Sequence, residues 1–220
     1  MLKGNDYPGR GIILGSSGSA LVAAYFIMGR SENSRNRVFI ETSDGIKTQC
    51  FDSSKMVDPS LIIYRPVRKF GNSLIVTNGD QTDTVYDFLQ QGKTFEQALE
   101  TRTFEPDSPN FTPRISGLLT KDGYKLSILK TEDNGKSCER LFFNYKYSTG
   151  KGRLIHTYQH DGDPIPSFGG DPEIIDIDGD INFFTNFLWD SLSEENRVSL
   201  FVRYIYKDSE KTLIINKNEV

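Results

Sequence analysis

The sequence predicts an α+β fold of mostly antiparallel strands covered by helices. Short apolar runs recur in pairs around turn residues, which is how a β-hairpin reads in sequence. Helical spacing of apolar residues is confined to separate blocks. Strand blocks separated by helix blocks argue for antiparallel sheets. With 220 residues the chain is long enough for one sizeable core, and a single domain over 1–220 is expected.

The elements follow in order. Residues 11–14 form an apolar run before Gly15-Ser16-Ser17-Gly18, and residues 20–28 form its hairpin partner. Residues 37–41 and 47–51 flank Ser43-Asp44-Gly45, and residues 61–70 and 73–77 flank Gly71-Asn72. The pattern then changes. Residues 83–91 place Val85, Phe88 and Leu89 on one helical face, and Gly92 fits a helix end. Thr94-Phe95-Glu96-Gln97 is a capping box opening a second helix to about Thr101. A loop with Pro106, Pro109 and Pro113 leads to strands at 114–119 and 125–130, around Asp122-Gly123, and then at 140–146 and 153–159. Residues 161–172, rich in Gly, Pro and Asp, read as a loop. A helix is expected over 180–192, and a closing hairpin over 197–206 and 212–215.

Composition excludes several classes. The net charge is −4, with acids and bases mixed along the chain and no basic stripe for nucleic acid. An anionic ligand must therefore be held by a few placed arginines. Cys50 and Cys138 stand outside any CxxC, and His156 and His160 are the only histidines, so structural zinc is not expected. Two free buried thiols are expected over a disulfide. The apolar run 20–28 is too short for a membrane span, and Met1-Leu2-Lys3-Gly4-Asn5-Asp6 lacks a signal-peptide core. The expectation is a cytoplasmic protein without membrane partners. A homo-oligomer is compatible with the sequence, which does not set the number of copies.

Two motifs reduce to turns. Gly9, Gly11 and Gly15 bracket a strand, whereas a phosphate-binding glycine loop follows a strand and opens a helix. Asp176-Ile177-Asp178-Gly179-Asp180 resembles the start of a calcium loop. Such a loop needs glycine sixth and glutamate twelfth; Ile181 and Phe187 stand there. A charged turn capping the next helix is the better reading.

Three segments carry chemistry. The stretch from Gly29 to Arg37 holds Arg30, Arg35 and Arg37 among small polar residues. Arginine offers phosphate a planar fork of donors, while a solvated loop explains the same composition. The junction Thr77-Asn78-Gly79-Asp80-Gln81-Thr82-Asp83-Thr84 caps a helix and has amides to offer a ligand. The loop from Phe104 to Ile115 sets Glu105, Asp107 and Arg114 on one stiff segment. Paired acids do proton work when burial raises one pKa; a salt-bridged surface loop is the alternative.

Together these pieces resemble the archaeal-type IMP cyclohydrolase family. They are Tyr7-Pro8-Gly9-Arg10, Tyr25, Arg30-Ser31 with Asn36-Arg37, and Tyr64 with Arg68. Asn78-Gly79 with Thr82-Asp83-Thr84 follows, then Glu105 and Asp107 with Thr112-Pro113-Arg114-Ile115. The likeness covers about residues 7–119. The arginine loop is longer than in archaeal members, Gln81 stands where they tend to have histidine, and Pro66 where they tend to have cysteine.

The resemblance implies a four-layer αββα sandwich similar to N-terminal-nucleophile hydrolases. The Met1-Leu2 start does not support an N-terminal nucleophile. It implies closure of a formamido-imidazole-carboxamide ribonucleotide to IMP and water, with a purine-precursor nucleotide as the partner and no metal or other cofactor. Arg30 and Tyr64 are expected as donors near the reacting carbonyl and Glu105 as the proton-transfer group. Asn78 and Asp83 are expected to orient base or ribose, Arg37 and Arg114 to hold phosphate, and Tyr25, Ser31 and Gly79 to line the site. A hydrolase of a related nucleotide amide or amidine, and a non-catalytic nucleotide binder, remain as alternatives.

Overall fold

A computed structural model describes residues 2–55 and 63–218. The chain opens with β1 (Arg10–Ser16) and β2 (Leu21–Met28), a short helix α1 (Glu32–Arg35), then β3 (Arg37–Thr42), β4 (Gly45–Cys50), β5 (Val67–Phe70) and β6 (Ser73–Thr77). Helices α2 (Gln81–Gln90) and α3 (Phe95–Glu100) follow. Strands β7 (Arg114–Thr120), β8 (Gly123–Lys130), β9 (Glu139–Tyr145), β10 (Lys151–His156) and β11 (Glu173–Asp176) come next. Helix α4 (Ile181–Ser191) and the hairpin of β12 (Arg197–Ile205) and β13 (Glu210–Asn216) complete the order.

The fold is α+β with two sheets. One has the order β11-β10-β1-β2-β12-β13, and the other runs from β3 to β9 in chain order. All pairs within the sheets are antiparallel. Hairpin signals in the sequence fix the pairings β1–β2, β3–β4, β5–β6, β7–β8 and β12–β13 locally, while α2 and α3 lie in the connection from β6 to β7.

Side-chain alternation assigns each strand two faces. Ile12, Leu14, Tyr25 and Ile27 of one sheet share a core with Val76, Ile115, Leu126 and Ile128 of the other. The alternate residues Ile13, Ala24, Phe26, Leu200 and Val202 pack with Phe184 and Leu188 of α4. Ile75, Leu118 and Leu129 pack with Val85 of α2 and Phe95, Ala98 and Leu99 of α3. Strand β2 is therefore buried on both faces, which is why its sequence is an unbroken apolar run. Where β1 and β7 face each other across the two sheets, a Cβ on Gly117 of β7 would lie 2.8 Å from Leu14 Cδ1 and 3.3 Å from Ile12 Cγ2.

Several boundaries differ from the sequence reading. Of the expected strand over 61–70, residues 61 and 62 lie outside the described residues, and pairing as a strand begins at Val67. Pro66 has no N–H to give a ladder, and Tyr64 instead exchanges hydrogen bonds with Thr48. The arginine loop contains α1, closed by a Ser31–Ser34 capping box that the sequence reading treated as loop. Strand β11 was not anticipated; its four residues include two acids, and pairing with β10 determines it. Asp180 caps α4 through the Phe183 N–H, as the charged-turn reading expected. Both cysteines are free but half-buried, not buried. Among the described residues, no helix is long and apolar enough to cross a membrane.

Enlarging Gly117 tests the face-to-face packing. Gly117→Val should lower unfolding stability by about 1–3 kcal/mol through overpacking, measured by urea denaturation; unchanged stability would mean that the sheets are not in close contact there.

Candidate active site

An open cleft of about 460 Å³ lies where β1 begins, lined by the Tyr7–Arg10 stretch, the Arg30–Arg37 loop, Glu105, Asp107, Thr112 and Tyr158. That volume suits a small ligand. A larger cleft of about 530 Å³ lies at the other end of β1 and β2, but its charged residues, Lys69, Lys121, Lys207 and Glu210, are all partly or fully exposed.

The floor of the first cleft is an ion pair. Arg10 Nη1 and Nη2 donate to Glu105 Oε1 and Oε2 at 3.0 and 3.1 Å, and Nη1 also donates to the Asn78 carbonyl at 3.3 Å. Arg10 is 8% exposed and Glu105 3%. The strand holds Arg10 through its backbone N–H, which donates to Thr157 Oγ1. Glu105 is held by its N–H on the Thr112 carbonyl. Burial pushes the Glu105 carboxyl above its ordinary range, while the Arg10 guanidinium draws it down. Burial opposes the charge of Arg10 as well, yet Glu105 keeps that guanidinium protonated, above its ordinary value. Two of the five N–H groups of Arg10, on Nε and Nη2, are not used by these bonds.

The rim is built from two segments distant in sequence. Arg30 is exposed; its Nη1 donates to Asp161 Oδ1 at 2.5 Å and to the Gly162 carbonyl at 3.0 Å. Its guanidinium lies 5.1 Å from the Tyr7 ring centre. Arg37 is buried and anchored on the Ser34 and Met28 carbonyls through Nε and Nη2. Ser31 lines the rim as the cap of α1. Arg35, by contrast, turns to Gly29 and Asn196. Tyr7 and Tyr158 stack with centroids 5.8 Å apart. Gly9 makes room for this: it has φ +77°, and a Cβ there would stand 2.3 Å from Thr157 Oγ1 and 2.6 Å from the Tyr158 ring.

The remaining expected residues support the floor. Tyr25 and Tyr64 join hydroxyls at 2.8 Å and are electrostatically coupled to Arg10. Burial keeps the Tyr25 phenol protonated, its pKa well above the ordinary value. The Asn78 amide is spent on backbone: Nδ2 donates to Pro113 O, and Oδ1 accepts from the Ile115 N–H and Gln81 Nε2. Its carbonyl, not its side chain, meets Arg10. Arg114 is committed to Gln81 Oε1 at 2.7 Å and Asp80 at 2.8 Å, and burial lowers its pKa. Gly79 packs beside Arg114, and Asp83 pairs with Arg68 at 2.6 Å on α2; neither lines the cleft.

Of the expected residues, Arg30, Ser31, Arg37 and Glu105 thus meet in one cleft, while Tyr25, Tyr64, Asn78 and Arg114 stand around its floor. Sequence reasoning gave no role to Arg10, although it lies in the Tyr7-Pro8-Gly9-Arg10 motif as the one charge entering an apolar strand. It also gave none to Tyr7 or Tyr158. Nothing in sequence spacing links Tyr158 to Thr112; the β1–β10 pairing and the packing of β1 against β7 bring them together.

A buried Arg–Glu pair lies beneath a rim of arginines and stacked tyrosines, side chains whose chemistry suits a small anionic ligand with a planar part. The family model described as IMP cyclohydrolase-like protein matches residues 7–209, and the chain belongs to that family. An IMP cyclohydrolase of Methanocella arvoryzae is 28% identical over 142 residues, 58% of this chain and 70% of the relative. One of Methanothrix thermoacetophila is 28% identical over 56% of this chain and 62% of the relative. One of Methanopyrus kandleri is 30% identical over 69% of this chain and 75% of the relative.

Removing one partner of the buried pair strands the other. Arg10→Ala should destabilise the protein by about 3–5 kcal/mol, and Arg10→Met with Glu105→Leu should recover most of that loss. Thermal unfolding of both variants checks this; equal losses in the two would show that the pair does not couple.

Proposed function

We infer that this chain is an IMP cyclohydrolase, closing a formamido-imidazole-carboxamide ribonucleotide to IMP and water in purine biosynthesis. The observation that carries the reading is that the family match spans both segments of the cleft, the N-terminal arginines and the distant Tyr158. Nucleophile and electrophile belong to one substrate, so the task is orientation plus proton transfer. The carboxamide nitrogen attacks the formyl carbon, forming a C–N bond while the formyl oxygen gains a proton. That hydroxyl then takes a second proton and leaves as water, as the formamide nitrogen gives up its hydrogen and C=N forms.

In this reading the spare donors of Arg10 polarise the formyl oxygen, with Glu105 fixing the guanidinium in place. The Tyr25–Tyr64 hydroxyl pair lies beside that charge. Arg37, Ser31 and Arg30 take the phosphate at the rim, where an incoming anion replaces Asp161 as the partner of Arg30. Helices on the outward faces of both sheets support an αββα layering similar to N-terminal-nucleophile hydrolases. A single domain in the cytoplasm is part of the same reading.

Two measurements test it. Incubation of the protein with the formamido ribonucleotide should form IMP, followed by absorbance; nucleotide binding without product would leave a binder and remove the enzyme. Arg30→Ala should raise KM about 10-fold or more with a smaller change in kcat, the scale of one lost charge-assisted hydrogen bond. A fall confined to kcat would move Arg30 from the phosphate to the reacting carbonyl.

A further inference from the structure

The Glu105 carboxylate is poorly placed to carry protons, because both its oxygens accept from Arg10. A second carboxylate on the same loop is connected differently. Asp107 Oδ1 accepts the Thr112 N–H at 2.7 Å, and Asp107 Oδ2 accepts the Thr112 hydroxyl. Thr112 Oγ1 lies 2.5 Å from Tyr158 Oη. A threonine hydroxyl has one hydrogen. With that hydrogen on Asp107, the Tyr158 hydroxyl must be the donor to Thr112. The chain therefore has a direction, from Tyr158 Oη through Thr112 Oγ1 to Asp107 Oδ2. All three residues line the cleft, and the lone pairs of Tyr158 Oη are left to accept from a ligand. Thr112 is 1% exposed and Tyr158 6%, so little solvent competes along the chain.

We propose that Tyr158 is a catalytic residue of this site, passing protons between the nucleotide and Asp107 through Thr112. The proposal rests on the ring-closing reading given above. As the carboxamide nitrogen bonds to the formyl carbon, its proton moves to Tyr158 Oη, the Tyr158 proton to Thr112, and the Thr112 proton to Asp107. The reverse shift returns one proton to the former formyl oxygen. A second round takes the formamide N–H and returns it to the same oxygen, which departs as water. Each round ends with Asp107 ionised and Tyr158 neutral. Burial holds the Tyr158 phenol at about 12, against the pull of Arg10, so it transfers protons without resting as a phenolate.

The test compares Tyr158→Phe, Thr112→Val and Thr112→Ser with the wild type in IMP formation from the formamido ribonucleotide. Phenylalanine keeps the stack on Tyr7 and removes only the hydroxyl. Tyr158→Phe and Thr112→Val should each lower kcat by about 100-fold or more, the scale of positioned acid–base catalysis, with KM changed by less than about threefold. Thr112→Ser, which keeps the hydroxyl, should restore kcat to within about 10-fold of wild type. If Tyr158→Phe does not fold, the valine and serine variants decide the matter, since they differ in the relay hydroxyl. Wild-type turnover with unchanged kcat in Tyr158→Phe or Thr112→Val, or equal losses in the valine and serine variants, overturns the relay alone. A wild type that forms no IMP overturns the ring-closing reading and the relay together.

Discussion

The bidentate pair between Arg10 and Glu105 ties together two parts of the chain that belong to different sheets. Arg10 starts β1 in the six-stranded sheet, and Glu105 sits in the loop that leads to β7 of the seven-stranded sheet. Either charge alone in that position would carry an uncompensated desolvation cost of several kcal/mol. The neighbouring structure is arranged to keep the two matched. The Asn78 carbonyl, the Thr157 hydroxyl and the Thr112 carbonyl each fix one side of the pair. The Asn78 side chain in turn ties the β6–α2 junction to β7. A charge pair of this kind does not add much net stability. Its consequence is a fixed guanidinium with unused donors at the floor of an open cleft.

The sheets supply the rigidity this requires. Tyr25 places its ring in the core shared by the two sheets, while its hydroxyl reaches Tyr64 beside Arg10. The same alternation that sends Ile27 into that core sends Met28 to the α4 side. The Met28 carbonyl at the end of β2 then accepts from Arg37. The cleft is thus formed at the ends of strands whose middles are fully buried. At the rim Arg37 is anchored and buried, whereas Arg30 and its ionic partner Asp161 are both exposed, so that contact is open to exchange above a fixed floor.

The legible part of the fold was the local part. Hairpins around Asp44-Gly45, Gly71-Asn72 and Asp122-Gly123 were readable because turn residues and apolar runs act within a few positions. The capping box at Thr94 was readable for the same reason. Strand β11 and the α1 turn were not, since pairing with β10 and the Ser31–Ser34 bonds determine them more than any apolar pattern. At the site, Glu105 and the arginine loop stood out as charged residues in stiff or polar segments. Asn78 and Arg114 stood out too, but their side chains serve the scaffold around the floor. Tyr158 and Asp161 left no signal, because their relation to Thr112 and Arg30 exists only once β10 pairs with β1 and the two sheets pack together.

In the proposed function, a purine-precursor nucleotide lies over the Arg10–Glu105 pair with its phosphate on the arginine rim. A crystal structure of the protein with IMP tests this most directly. The base is expected within hydrogen-bond reach of Arg10 and Tyr158, and the phosphate on Arg37 and Arg30 with the Arg30–Asp161 contact broken. A nucleotide seated in the opposite cleft beside Lys69 and Lys207, with the Arg10 cleft empty, would contradict it.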